Sequence, residues 1–475
     1  MKNTITTTTT KKHLFAYVLL FALVVLAVRN VSAQREGTNW YFGNKAGLNL
    51  ENIAYTMGDG ALVSNSTCAS IATANGDLRM YTNGVTLWNA KHLLVNDGTG
   101  IKGNTAASQG AIIVPVPNSN QMYYVFTAPA NGVDMYGNPD SLRYTIVDMS
   151  AHDGFGQVDL DHKNVPLYGQ VEEKLTAVYS GGDVWIIAHG FKTNKYVAYK
   201  LTESGLEGPV ESTVGMTDNL GGRGCMKASP SGKKLARTMS LQNKLELLDF
   251  DVATGIVSNP MTIGNLPGAY GVDFSSFSSR LYVSTVGVNQ NYIHQFNIKL
   301  DTQAQIETSK YTITPPANTF PTALQLGYNG ILYMANSQTN TLGNITNADT
   351  LGTALIYNAS AITVPGTIYN GLPAFNQSYF KRSPIILSVE DNALSTLEVY
   401  PNPSNGTFRL SVGKNKSQDI KLNVYNMTGA KVFSAENFDE GQNVITLDIT
   451  KQPAGMYFFD INTPEGKTVK RLVIN

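Results

Sequence analysis

Apolar and polar residues alternate in short runs along most of this chain, and Gly, Pro, Asn, Asp and Ser interrupt the runs. Side chains of a strand point alternately to opposite faces, so a period of two predicts half-buried strands. Near the carboxy terminus Phe408, Leu410 and Val412 alternate with Thr407, Arg409 and Ser411. Leu422 and Val424, then Ile445, Leu447 and Ile449, then Tyr457, Phe459 and Ile461 repeat the pattern. Pro401 cannot donate to a strand ladder and Asn405-Gly406 accepts positive φ, so turns are expected at both places. Short strands at this spacing predict a small antiparallel, immunoglobulin-like β-sandwich. No stretch after Gln34 sustains the period of about 3.6 residues that marks an amphipathic helix.

Between Gln34 and Ile385 a longer pattern returns six times. A short apolar strand leads to a turn of small or polar residues, then to a second strand rich in aromatic and branched side chains. The turns and second strands read Asn75-Gly-Asp-Leu-Arg-Met-Tyr, Asn118-Ser-Asn-Gln-Met-Tyr-Tyr-Val-Phe and Gly181-Gly-Asp-Val-Trp-Ile-Ile. Pro230-Ser-Gly-Lys-Lys-Leu-Ala, Phe277-Ser-Ser-Arg-Leu-Tyr-Val and Tyr328-Asn-Gly-Ile-Leu-Tyr-Met continue the series. Aligned on Leu78, Met122, Val184, Leu235, Leu281 and Leu332, they give a period of roughly 50 residues, the signature of a β-propeller. The opening strand from Trp40 to Leu50 has no repeat of its own. Pairing it with a strand around Phe375 to Phe380 would complete a further blade and close the ring. An all-β chain with a β-propeller of seven blades is therefore expected, six blades being the alternative. The expected division is propeller 34–387, linker 388–396 and sandwich 397–475.

Four motifs in the last segment carry a resemblance. They are Leu397-Glu-Val-Tyr-Pro-Asn-Pro-Ser-Asn-Gly-Thr-Phe-Arg-Leu, Val424-Tyr-Asn-Met-Thr-Gly-Ala-Lys-Val-Phe, Pro453-Ala-Gly-Met-Tyr-Phe-Phe and the closing Lys470-Arg-Leu-Val-Ile-Asn. In order and spacing they resemble the type A carboxy-terminal sorting domain of the type IX secretion system of Bacteroidota. The resemblance implies type IX secretion machinery as a partner, with Lys470, Arg471, Leu472, Val473 and Ile474 in the sorting signal. It also implies passage through the periplasm, release or attachment at the outer-membrane surface, and removal of the domain on arrival. The middle region resembles a group of secreted Bacteroidota propellers on Asn39-Trp-Tyr-Phe-Gly and Gly371-Leu-Pro-Ala-Phe.

The amino terminus reads the same way. Lys2, Lys11 and Lys12 precede an apolar run from Leu14 to Val28, and Val31-Ser-Ala offers small residues before a cut between Ala33 and Gln34. That is the pattern of a secretory signal peptide over residues 1–33. The run falls short of the roughly 20 residues that span a bilayer, and no later run is longer, so no transmembrane segment is expected in the mature chain. Lys plus Arg equals Asp plus Glu at 35 each, a balance that gives nucleic acid no electrostatic foothold. The cysteines Cys68 and Cys225 each lie ten residues before a repeat anchor, Leu78 and Leu235. In a ring they would stand nearly opposite, too far apart for a disulfide, so two buried thiols are expected.

Strand alternation sorts the loops. The entrance to each first strand and the exit of each second strand should share one face. Glu172, Glu173, Lys174, His189 and Arg223 fall there, with Tyr270 and Phe320, and are the candidate ligand-binding residues. Read structurally instead, Glu173, Lys174 and Arg223 would pair with one another and plug the axis. No metal-binding His pair, Gly-x-Ser-x-Gly or phosphate loop occurs, so no metal or cofactor is assigned. Asp159, Asp161 and His162 read as a solvated turn or strand edge, and the oxygen-rich Asp134-Met-Tyr-Gly-Asn-Pro-Asp lacks the ordered ligand spacing and closing Glu of a calcium loop. The expectation is a secreted or surface-bound non-catalytic binding protein for polysaccharide, matrix or a surface protein. The alternative is a carbohydrate-active hydrolase or lyase with scattered carboxylates on the axis, which would leave no local motif.

Overall fold

The computed structural model describes residues 34–50, 55–134, 136–287, 290–381, 398–411, 420–426, 430–436, 444–463 and 466–475. The signal-peptide expectation for 1–33 and the linker expectation for 388–396 lie outside the described residues. The chain divides into two compact units, 1–382 and 383–475.

Over the described residues the first unit is a ring of seven blades, the β-propeller, in which the second and third blades join into one nine-stranded sheet. The first blade has three strands, Asn39–Phe42, Ala46–Asn49 and Tyr55–Met57. The second starts at Ala69–Ala72 and the third at Ala111–Pro115. The inner strands of the next four are Thr176–Ser180, Met226–Ala228, Ala269–Phe274 and Pro321–Leu326. A parallel bridge from Gln157 to Asn96 joins the outer strands of the second and third blades.

Burial follows position in the blade. Every residue of Met226–Ala228, Ala269–Phe274 and Pro321–Leu326 is buried, whereas most of the outer strand Gly205–Thr213 is at least partly exposed. Inner strands are covered on both faces by neighbouring blades, so their side chains cannot alternate between core and water. The last blade packs on the first, where Asn44 N donates to Thr367 O at 2.8 Å.

Ring closure differs from the expected strand pairing. The segment Gly371–Phe380 does run beside the first blade, with Phe375 against the Trp40 ring at 6.0 Å. It makes no ladder with Asn39–Phe42. Instead Ala374 bridges Ala69 and Asn376 bridges Ala177, both in parallel, so the segment descends along the axis between inner strands. Pro373 has no N–H for a ladder, and Gln377–Phe380 turns into a 3-10 helix capped by the Asn376 side chain. Gly371 starts this descent so close to Ser66 that a Cβ would overlap the Ser66 carbonyl oxygen. No larger residue fits there.

The second unit is the expected sandwich. One sheet orders Glu398–Tyr400, Thr407–Ser411 and Val444–Asp448. The other orders Lys431–Glu436, Lys421–Asn426, Gly455–Thr463 and Gly466–Ile474. Phe408, Leu410, Leu422, Val424, Leu447, Phe459 and Ile461 are all buried, on the face their alternation assigned. Phe408 and Phe459 meet edge to face at 5.3 Å across the two sheets. Gly406 takes φ +100° in the tight turn.

Candidate functional site

The antiparallel order of each blade brings the lead-in to its inner strand and the exit of its second strand to one end of the axis, the entry end. A cavity of about 500 Å³ opens there, lined by Glu173 and Arg223 from the lead-ins to the fourth and fifth blades and by Tyr270 of the sixth. Asn65, Asn131, Gln338 and Asn370 add side-chain amides. Arg223 is exposed, and its guanidinium lies 5.6 Å from the centre of the Tyr270 ring. Glu173 is buried and accepts a hydrogen bond from Ser108 Oγ at 2.7 Å. Burial pushes its carboxyl above the usual range, although Ser108, Lys174 and Arg223 oppose the shift.

Glu172, Lys174 and His189 stand elsewhere. All three are 0 % exposed and form an ion cluster between the fourth and fifth blades. Glu172 Oε2 lies 3.0 Å from Lys174 Nζ, and its Oε1 lies 3.0 Å from His189 Nδ1 and 2.9 Å from Arg237 Nη1. Arg237 Nη2 reaches Glu246 Oε2 at 2.9 Å, and Tyr196 donates to that same oxygen at 2.7 Å. Lys174 also donates to the Thr238 carbonyl at 2.7 Å. Burial alone would raise the Glu172 pKa, but Lys174, Arg237 and His189 outweigh it and hold the carboxyl far below its usual value. Burial first and Arg237 second lower the His189 pKa, although Glu172 opposes them. The ion pairs are therefore Glu172 with Lys174 and Arg237, rather than a Glu173–Lys174–Arg223 plug.

Four members of the buried polar interior escaped the sequence reading: Arg237, Glu246, Lys227 and Asp273. Lys227 and Asp273 are each the single charge of their strand, Met226–Ala228 and Ala269–Phe274, and that isolation was the available signal; Arg237 and Glu246 share their strands with other charged residues and gave none. Lys227 Nζ hydrogen-bonds Gln325 Oε1 and lies 3.8 Å from Asp273 Oδ2, so three inner strands share one polar contact on the axis. Cys68 and Cys225 sit one residue ahead of Ala69–Ala72 and Met226–Ala228, and both are buried free thiols. Burial raises the thiol pKa of each, that of Cys225 to about 11.

The remaining polar motifs spend their groups internally. Asp159 caps the 3-10 turn Leu160–His162, which curls His162 Nδ1 back to 2.7 Å from Asp159 Oδ2. A strand would have separated the two. Asp134 Oδ1 accepts from the backbone N–H groups of Tyr136 and Asn138. Among the described residues no group of three His, Cys, Asp or Glu side chains is placed to hold a metal ion.

Comparison with known proteins separates the two units. No curated protein sequence matches the chain. A solved structure of a protein from Lactobacillus plantarum aligns with 16 % identity and a TM-score of 0.42, covering 71 % of this chain and 98 % of that one. A periplasmic gluconolactonase of Pseudomonas aeruginosa aligns with 12 % identity and a TM-score of 0.38, covering 80 % and 99 %. No helix among the described residues is long and apolar enough to cross a membrane. Residues 398–475 match the secretion system C-terminal sorting domain. The chain thus carries a type IX sorting domain and is delivered by that machinery to the cell surface or the extracellular space.

Proposed function

We propose that the exported chain is a non-catalytic binding protein whose propeller holds a polysaccharide at the entry end of its axis. One observation carries the reading: an exposed Arg223 guanidinium over the Tyr270 ring, at the lip of an amide-lined cavity of about 500 Å³. A cation backed by an aromatic face, with amides around it, suits a sugar chain that bears carboxylates. Glu173 is the one carboxylate lining that cavity. Glycoside cleavage ordinarily needs two, so the cavity favours retention of a glycan over its hydrolysis. Matrix components and surface proteins displaying such a glycan are the natural partners.

The test is a panel of neutral and uronate-bearing polysaccharides offered to the purified protein. Uronate polymers should be retained, and Arg223→Ala should weaken retention by about tenfold, the loss of roughly 1.4 kcal/mol. Release of reducing ends or unsaturated products would refute the non-catalytic reading. Equal retention of neutral and uronate polymers, unchanged in Arg223→Ala, would refute the assigned site.

A further inference from the structure

The other end of the axis carries a different constellation. Inner strands finish there, and the turns that follow them in the second, third and fourth blades surround a cavity of about 300 Å³. Thr73, Ser119 and the Gly181-Gly182 pair belong to those turns. Glu36 lines the cavity, tied in place where Ala72 N donates to its carbonyl at 2.9 Å. The side-chain Oε2 of Glu36 is buried and has no hydrogen-bond partner. Tyr123 and Tyr179 line the same cavity, and Tyr379, fully buried, sets its ring edge-on to Tyr179 at 5.8 Å. Arg79, the neighbouring cation, donates to the Asn120 carbonyl at 3.4 Å and also hydrogen-bonds the Tyr123 side chain.

A buried carboxylate oxygen without a partner is costly, and in a folded chain it calls for an occupant. Phenol rings beside it supply electron-rich faces, which attract cations. We propose that this mouth binds a primary ammonium group, which donates to Glu36 Oε2 and lies against the rings of Tyr123 and Tyr179. The cavity admits a single side-chain-sized group, such as the amine of an amino sugar or of a lysine side chain. Burial holds the Glu36 carboxyl above its usual pKa, and burial first, with a smaller contribution from the Glu36 charge, raises the pKa of Tyr123, Tyr179 and Tyr379. This site lies at the opposite end of the inner strands from Arg223 and stands independently of it.

Calorimetric titration of the purified protein with n-butylammonium and with uncharged n-butanol tests the charge directly. The ammonium should bind at least about tenfold more tightly than the alcohol. Glu36→Gln should erase that difference, and Tyr179→Leu should weaken the ammonium by about fivefold. Glucosamine and Nα-acetyl-lysine methylamide then distinguish a sugar from a peptide source, the tighter binder naming it. Equal affinity for amine and alcohol in the unaltered protein would overturn the proposal without recourse to any variant. A preference that survives in Glu36→Gln would overturn it as well.

Discussion

Arg237 joins Glu172 to Glu246, 2.9 Å from each, with no part of the three side chains exposed. A guanidinium presents several N–H groups in a fixed plane, so one Arg can satisfy two carboxylates from different strands. Glu172 comes from the lead-in to the fourth blade, and Arg237 and Glu246 come from the fifth. The cluster is therefore a joint between blades.

Removing one partner of a buried pair leaves the other charged and unpaired, which costs about 3–5 kcal/mol. Glu172→Ala should lower unfolding free energy by that order, measured by urea denaturation. A loss below about 1 kcal/mol would mean that water or rearrangement already screens the cluster.

Acid should loosen the fold through its histidines. Burial, helped by Lys310, holds His294 at a pKa of about 4, against an ordinary 6.5. The unfolded chain takes up that proton first as pH falls, so the stability His294 protects is complete above 6.5 and drains away towards pH 4. His189 acts in the same direction, and the depressed Glu172 adds its own loss below its ordinary 4.5. Glu36, Glu173 and Asp273, with raised pKa values, work the opposite way. His294→Gln isolates one group. Denaturation at several pH values from 7 to 4 should show a shallower decline in the variant, by up to one proton's worth of slope. Parallel curves would refute the assignment.

Gly371→Ala should destabilise the propeller by about 1–3 kcal/mol, because the added methyl meets the Ser66 carbonyl, a backbone atom that cannot swing aside. Differential scanning calorimetry reads the shift. An unchanged melting temperature would show that the descending segment moves freely on the axis.

Deleting Thr468–Asn475 should trap the protein within the cell envelope. The final strand pairs with Gly455–Thr463 along its length, and Leu472 and Ile474 are 2 % and 4 % exposed. The deletion removes both the closing edge of the sandwich and two of its core side chains. Fractionation of culture medium, surface and periplasm checks the outcome, and normal export of the truncated chain would contradict it.

What the sequence by itself determined is local. Strand period, turn chemistry at Asn405-Gly406 and the roughly 50-residue repeat are written in near neighbours, because a pleated strand and a tight turn each depend on a few adjacent residues. The sorting domain was legible for the same reason. Tertiary structure alone decided which charges meet. Glu172 and Arg237 stand 65 positions apart, and nothing near either announces the other. It also decided that Glu172, Lys174 and His189 vanish between blades while Glu173, in the same run of residues, faces a cavity. Adjacent side chains in an extended lead-in point to opposite sides, and only the packing of the next blade determines which side holds water.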